Sequence, residues 1–196
     1  RNFAWAVHVP HHQSEEYNLS VALRQGAIES FVSIWFRLPF AFLGIPPEIF
    51  LTVVALNIVF QFFVHTRLID RLGPLEWFMN TPSHHRVHHG CNPKYLDCNY
   101  GGMFTIWYRM FGSFVPEEEE PTYGTTTQLA SWKPMWAQTS HVVKLIRSSA
   151  ERSPWKILQL WFLDGPSVFG EPPAPEYIIG RAKYDAKCSF SLAVYI

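Results

Sequence analysis

Residues 27–65 read AIESFVSIWFRLPFAFLGIPPEIFLTVVALNIVFQFFVH, two apolar runs, 27–43 and 49–64, parted by Gly44-Ile45-Pro46-Pro47. Glycine and paired prolines break helices, so the pattern predicts a helical hairpin. The runs hold 17 and 16 residues. That is roughly 25 Å of helix each, the short end of what spans a hydrocarbon core. Arg37 and Pro39 interrupt the first run, so the pair either crosses with Arg37 turned toward protein or dips in and returns as a re-entrant pair. A pair of buried helices in a soluble α domain is the competing reading. Against it, 49–64 is apolar around its whole circumference apart from Thr52, Asn57 and Gln61, which share a face suited to other helices. Either membrane arrangement returns the chain to the side from which it came.

The same five-residue pattern, H-x-x-H-H, stands on both sides of the hairpin, at His8, His11 and His12 and again at His85, His88 and His89. On a helix, positions i, i+3 and i+4 share one face, so each pattern presents three imidazoles together. His65 closes the second apolar run, so seven of the nine histidines surround the hairpin. The hairpin brings both triplets to one side of a membrane, where they can converge. Arg24, Arg67, Arg71, Arg86 and Lys94 flank it while its tip has no basic residue; the positive-inside tendency then places the histidines in the cytoplasm.

Imidazole serves zinc, copper, nickel and iron alike, and leaves the metal open. Number narrows it, because one structural zinc takes four ligands and would leave three histidines over. Seven suggest two metals. Paired redox metals beside an apolar pocket suit activation of O2 for attack on a lipid C–H bond, which zinc, without redox chemistry, does not provide. Each ligand also needs its other ring nitrogen satisfied, and Glu15, Glu16, Asn18, Glu76, Asn80, Asp97 and Asn99 are the nearby acceptors. His84 lies off the face of His85, His88 and His89 and is expected beside the site rather than in it. His141, alone on an amphipathic stretch, is read as an ordinary histidine.

Composition agrees with a membrane setting: charged residues make up 16% against a usual value of about 25%, aromatics 16%, and the formal charge is zero. No basic excess points to nucleic acid. The run 117–120, four glutamates, reads as a solvated loop. Cys91, Cys98 and Cys188 show no CxxC spacing, which argues against a disulfide framework and for a reducing compartment; Cys91 and Cys98 could also serve as soft metal ligands. Further helices are expected at 85–89 after Asn80, Thr81 and Ser83 as caps, at 104–111 up to Gly112, at 132–149 and at 155–162. The expected fold is therefore an all-α integral membrane protein. Its parts are a catalytic region over 1–115, a cytosolic or interfacial helical region over 116–187 with a proline-rich linker at 172–175, and the start of a further apolar segment at 188–196. The chain begins without methionine and stops inside that apolar run, as a fragment would.

Around these histidines the sequence resembles the fatty acid hydroxylase superfamily, also called the sterol desaturase family, and within it the alkylglycerol monooxygenase branch. The resemblance is carried by Trp5-Ala6-Val7-His8 through His12, by Ser14-Glu15-Glu16-Tyr17-Asn18-Leu19-Ser20, by His65-Thr66, by Leu72-Gly73-Pro74-Leu75-Glu76 and by Asn80-Thr81-Pro82-Ser83-His84-His85-Arg86-Val87-His88-His89-Gly90. Asn99-Tyr100-Gly101-Gly102, Phe111-Gly112 and Ser131-Trp132-Lys133-Pro134-Met135-Trp136-Ala137 extend it. The family's histidine boxes are an HxxxH-type pair, followed by a glutamate, and two HxxHH triplets. The triplets match here, His65 matches a further family ligand, and the pair is expected upstream of Arg1. Pro10 departs from the family pattern and is expected to shift the helix start without moving the ligand face. The resemblance implies a multi-pass, O2-dependent membrane monooxygenase with two non-haem irons, in the endoplasmic reticulum of a eukaryote or the inner membrane of a bacterium. For this branch it implies an ether lipid hydroxylated next to its ether oxygen, with tetrahydrobiopterin as electron donor. Other branches hydroxylate or desaturate fatty acyl chains, sterols or carotenoids with electrons from a redox protein such as cytochrome b5. The reading from another class is a non-enzymatic metal-binding membrane protein.

Overall fold

A computed structural model describes residues 2–165 and 181–185. The linker at 172–175 and the closing run 188–196 lie outside the described residues. Among the described residues seven α-helices appear in this order: α1 (Asn2–His12), α2 (Glu29–Phe42), α3 (Pro47–Val64), α4 (Pro82–His89), α5 (Ile106–Met110), α6 (Pro134–Ser149) and α7 (Pro154–Leu158). A turn of π-helix, Gln159–Leu163, continues α7. Among the described residues there is no strand, and the only β features are isolated bridges joining Met79 to Phe104 and Gly90 to Tyr123.

The two apolar runs form α2 and α3, turning through Gly44, which has φ +74. Their ring contact is Phe40 on Phe50 beside that turn. At 14 residues, α2 is about 21 Å long, too short to span a bilayer unaided. By length and composition α3 can cross, with 18 residues and only Val64 buried. Its polar positions Asn57 and Gln61 come up against Gly102. The apolar exposure of α3 continues onto the segments beyond it, where Leu68, Trp77, Phe78 and Phe111 are all open.

The core is small. One cluster joins Ala6 of α1 to Leu145 of α6 and Leu160 of the π turn, and another joins Val87 of α4 to Tyr95 and Cys98. The start of α1 is tied down by buried Asn2, whose Nδ2 donates to the Leu160 and Gly165 carbonyls at 2.9 and 3.1 Å. Pro10 sits inside α1 rather than at its start: it lacks the N–H that would return to Ala6, but it lies in the last turn, and its carbonyl accepts Arg24 Nε at 2.7 Å. Gly26 lies so close to α1 that a Cβ there would overlap the Val7 carbonyl.

Helix α4 begins after Thr81 with Pro82 in its first turn, but no side chain caps it; Thr81 Oγ1 instead donates to Glu76 Oε1 at 3.1 Å. Two other expected helices are shorter than the sequence pattern suggested, 104–111 shrinking to Ile106–Met110 and 132–149 to Pro134–Ser149, where proline sets the start. In the run 117–120, Glu118, Glu119 and Glu120 are exposed, as in a solvated loop, while Glu117 is half-buried. Arg86 Nε and Nη2 donate to Glu117 Oε1 and Oε2 at 2.7 Å each, while its Nη1 donates to the Ile69 and Thr66 carbonyls at 2.7 and 3.1 Å. Glu119 Oε1 accepts Asn92 Nδ2 at 2.7 Å, and Tyr95 Oη receives the Glu118 and Glu119 amides at 2.8 Å. The acidic run is thus tied at Glu117 to α4 and at Glu118 and Glu119 to the segment 92–95. Like charges gather there because a buried guanidinium and several N–H donors meet them.

Removing one member of a buried, bidentate ion pair strands the other and costs about 3 kcal/mol. Arg86→Met is therefore expected to destabilise the protein by about that much in denaturant titrations. Glu118→Gln, which removes an exposed partner of Lys94, should change stability by less than about 0.5 kcal/mol. Equal effects of the two substitutions would contradict the pin.

Candidate metal centre

The last turn of α1, the C-terminal cap of α3 and the body of α4 bring seven imidazoles together. In one group, ligand atoms of His11, His65, His85 and His89, all buried, lie within 4.8 Å of one another; in the other, those of His8, His12 and His88 do the same. All seven metal candidates of the sequence reading are in these groups, whereas His84, His141 and the described cysteines Cys91 and Cys98 are in neither.

Hydrogen bonds decide which ring nitrogens face inward. His65 Nδ1 donates to the Gln61 carbonyl at 2.6 Å and His11 Nδ1 to the Arg24 carbonyl at 3.2 Å. A carbonyl only accepts, so both Nδ1 atoms carry hydrogen and both Nε2 atoms are bare in the neutral ring. Those Nε2 atoms are 3.0 Å apart, and His65 Nε2 is also 3.0 Å from His85 Nε2 and 3.2 Å from His89 Nε2. Facing lone pairs at that distance repel unless a cation lies among them. A tetrahedral ion with bonds of about 2.0–2.1 Å to imidazole needs N···N edges of about 3.4 Å. The donor set therefore fits a first-row metal ion. In the second group His8 Nδ1 meets Glu29 Oε1 at 3.3 Å, leaving Nε2 to point inward, and His12 Nε2 is buried without a hydrogen-bond partner. These atoms fit a second ion.

Electrostatics point the same way. Burial first, then the neighbouring imidazoles, lower His11 to about 3. Burial and the charge of His8 take His88 to about 3, and burial takes His65 to about 4. Burial followed by adjacent histidines also holds His12, His85 and His89 well below 6.5. Neutral imidazole, the ligating form, is thus the ground state near pH 7.

The expected acceptors around the ligands are mostly elsewhere. Asn80 alone approaches one of the seven rings, its Nδ2 lying 3.5 Å from His85 Nδ1 while it donates to the Gly102 carbonyl at 2.8 Å. Glu16 pairs with Arg67 and Lys183 at the surface. Asn18 closes a local turn by accepting Ser20 N at 2.9 Å. His84 faces Glu76 at 3.7 Å, Asp97 accepts the Tyr100 hydroxyl, and Asn99 braces Val115 from both sides at 2.8 and 3.0 Å. Backbone carbonyls and Glu29 do the work instead. Glu29 was visible in the sequence only as an acid at the start of an apolar run. Tyr17 was also missed; its ring lies on His89 and His65, its hydroxyl donates to the Val64 carbonyl at 3.1 Å, and Tyr123 stacks on it at 4.7 Å.

A cavity of about 530 Å³ opens onto His12, His88 and His89. Its other walls come from α6 and from the segments around residues 95–100 and 124–129.

The family model for fatty acid hydroxylase matches residues 1–113. The chain is 51% identical over 142 residues to an alkylglycerol monooxygenase of Xenopus tropicalis, covering 72% of this chain and 32% of that protein. It is 44% identical over 144 residues to an alkylglycerol monooxygenase of Homo sapiens, covering 74% and 32%. An ornithine lipid hydroxylase, OlsE of Rhizobium tropici, is 28% identical over 129 residues, covering 64% and 39%. The chain spans about a third of the length of the curated relatives it matches. No solved structure matches it significantly.

The lowered imidazole pKa values carry a pH signature. An unfolded histidine titrates near 6.5, so on acidification the unfolded chain takes up protons that the folded chain refuses, and stability rises with pH. Metal-free protein should lose thermal stability as pH falls below about 6.5, the loss growing until about 3–4, where His11, His65 and His88 protonate in the fold. A melting midpoint that stays flat from about pH 7.5 to about pH 5 would contradict the buried neutral cluster.

Proposed function

Since this chain belongs to the fatty acid hydroxylase family, we propose that it forms the metal-binding core of a membrane-bound, O2-dependent monooxygenase that hydroxylates an ether lipid of the alkylglycerol type. The observation that carries this reading is the pair of converging imidazole groups, seven histidines in two clusters, with the inward Nε2 atoms of His11 and His65 left bare by their Nδ1 hydrogen bonds. His11, His65, His85 and His89 would hold one non-haem iron, and His8, His12 and His88 the other. Two irons bound there would supply redox activation of O2 for attack on an unreactive C–H bond, chemistry closed to zinc.

The chain's own residues prepare that chemistry. The Arg24 and Gln61 carbonyls fix His11 and His65 in the tautomer that turns Nε2 inward; Glu29 does so for His8. Such partners keep the rings oriented and more basic toward a metal. Tyr17 and Tyr123 close the cluster on one side and help exclude water. The exposed apolar faces of α2, α3 and the segment after them would sit in lipid and offer the tail to the site. In balance, R–H and O2 take two electrons and two protons to give R–OH and water. Tetrahydrobiopterin is the donor this branch implies, a redox protein the alternative. Next to an ether oxygen the new hydroxyl makes a hemiacetal. If the lipid were instead an acyl chain or a sterol, or the outcome a desaturation, product mass would show it.

Residues 1–115 constitute the catalytic region in this reading, supported by the family match over 1–113, and 116–187 a cytosolic or interfacial region. A multi-pass protein of the endoplasmic reticulum or bacterial inner membrane, with its histidines facing the cytoplasm, is supported by α3 and by the basic residues at the hairpin's base.

His11→Ala and His88→Ala are each expected to cut iron content by at least half and to abolish turnover of alkylglycerol in the full-length protein. His141→Ala, outside both groups, should keep its iron. Iron per chain by elemental mass spectrometry separates the variants. Equal loss in all three would mean that folding, not ligation, is being disturbed, and stoichiometric zinc without turnover would favour a non-enzymatic metal-binding protein.

A further inference from the structure

We infer that two exposed aromatic platforms at the base of the hairpin, 73–79 with 104–111 beside α3 and 132–135 beside α2, rest in the headgroup boundary of one membrane leaflet and seat the histidine-bearing side on the lipid surface. This placement rests on the membrane-bound reading above and needs neither the ether lipid nor the irons. In the first platform the tight turn Gly73–Trp77 and α5 are joined through the backbone. Thr105 N donates to the Phe78 carbonyl at 3.0 Å and Asn80 N to the Met103 carbonyl at 2.8 Å. Helix α5 turns Tyr108 inward, buried, with its hydroxyl on the Gly101 carbonyl at 2.6 Å. That leaves Trp77, Phe78, Trp107 and Phe111 outside, 54–76% exposed. Scattered exposed aromatics need no explanation, but a group of them marks an interaction surface. The two charged side chains of these segments are already engaged. Glu76 accepts Leu72 N at 3.0 Å and Thr81 Oγ1 at 3.1 Å, and the Arg109 guanidinium lies 4.7 Å from the centre of the Trp77 ring and 4.0 Å from that of Phe114. Contact with lipid therefore strands no carboxylate, and an arginine can keep its head at phosphate level while its stem lies along apolar surface.

Position selects lipid as the occupant. Gly102, at the root of this platform, lies against Gln61 and Asn57, one and two turns before α3 ends at Val64. Two turns of helix are about 10 Å, so the root stands level with the last part of the helix that can cross a membrane, at the depth of about 5–10 Å to which interfacial segments sink. The second platform is fastened to the other leg. Gln138 of α6 accepts Ala27 N at 2.8 Å and donates to the Gln25 carbonyl at 3.2 Å, which holds the start of α6 to the residues leading into α2. There Met135 is 74% exposed and Trp132 70%, although the Trp132 ring meets Tyr184 at 6.2 Å; Lys133 lies between them. The two ends of a hairpin share one side, so both platforms belong to one leaflet. Tryptophan next to a basic residue suits that boundary, because indole offers an apolar body to the tails and an N–H to the heads. With lipid at both legs, the fold lies on the membrane instead of standing off it on the hairpin.

The test uses unmodified full-length protein in phosphatidylcholine nanodiscs that contain a phospholipid with a photoactivated aryl diazirine near its glycerol, read by peptide mass spectrometry. Lipid labelling of both platforms should exceed that of the acidic run 117–120 at least tenfold, and hydroxyl radicals generated in the water should reverse that order. Platforms labelled no more than 117–120 while α3 takes up the lipid label would overturn the inference and leave the hairpin in the membrane. Protection of the platforms from both reagents would assign them to another part of the chain or to a second copy, and would overturn it too. Lipid label on only one platform would contradict the shared seat. If neither the platforms nor α3 take up the lipid label, the membrane-bound reading fails and the inference with it.

Discussion

The structure depends on one constraint: seven imidazoles are packed at the meeting point of three chain segments with almost no apolar core to hold them there. Ala6, Leu145 and Leu160 form one small cluster and Val87, Tyr95 and Cys98 another. Between them the fully buried side chains are mainly polar, His65, His84, Asn2, Asn80, Asn92 and Asn99 among them. The bare Nε2 atoms of His11 and His65, facing each other at 3.0 Å, repel. On the proposed reading, cations among them turn that repulsion into the main bond between α1, α3 and α4, so metal binding and folding are one process.

Everything nearby serves orientation. Arg24 is an example: its guanidinium holds the Pro10 carbonyl in the last turn of α1 while its own carbonyl fixes His11. Gln61 does the equivalent for His65 one turn earlier on α3, and Asn80 braces the start of α4 against Gly102. Arg86 ties α4 to the segment leaving α3 and to Glu117. The hairpin, by contrast, gives little to the site beyond Glu29, Gln61 and the placement of His65. Its exposed apolar surface suits lipid, and this division lets one chain join an apolar face to a polar, histidine-lined end.

Much of this was legible in the sequence because it is written in local spacing. The H-x-x-H-H patterns become adjacent imidazoles since i, i+3 and i+4 share a helical face, and His65 follows from the end of an apolar run. What escaped was contact between distant positions. Glu29 meets His8 across 21 residues and Arg86 meets Glu117 across 31; no periodicity encodes either. The acceptors expected from proximity along the chain failed for the same reason, since Asp97 and Asn99 adopt positive φ values of 57 and 51 and turn their side chains to Tyr100 and Val115. Nor does composition reveal that backbone carbonyls, which every residue carries, would orient His11 and His65.

The most direct measurement is metal content together with X-ray absorption at the iron edge on the full-length protein purified from its membrane. The account predicts two irons per chain, each surrounded by histidine nitrogens and with no sulfur ligand. A single tetrahedral zinc per chain, or iron bound through cysteine, would contradict it.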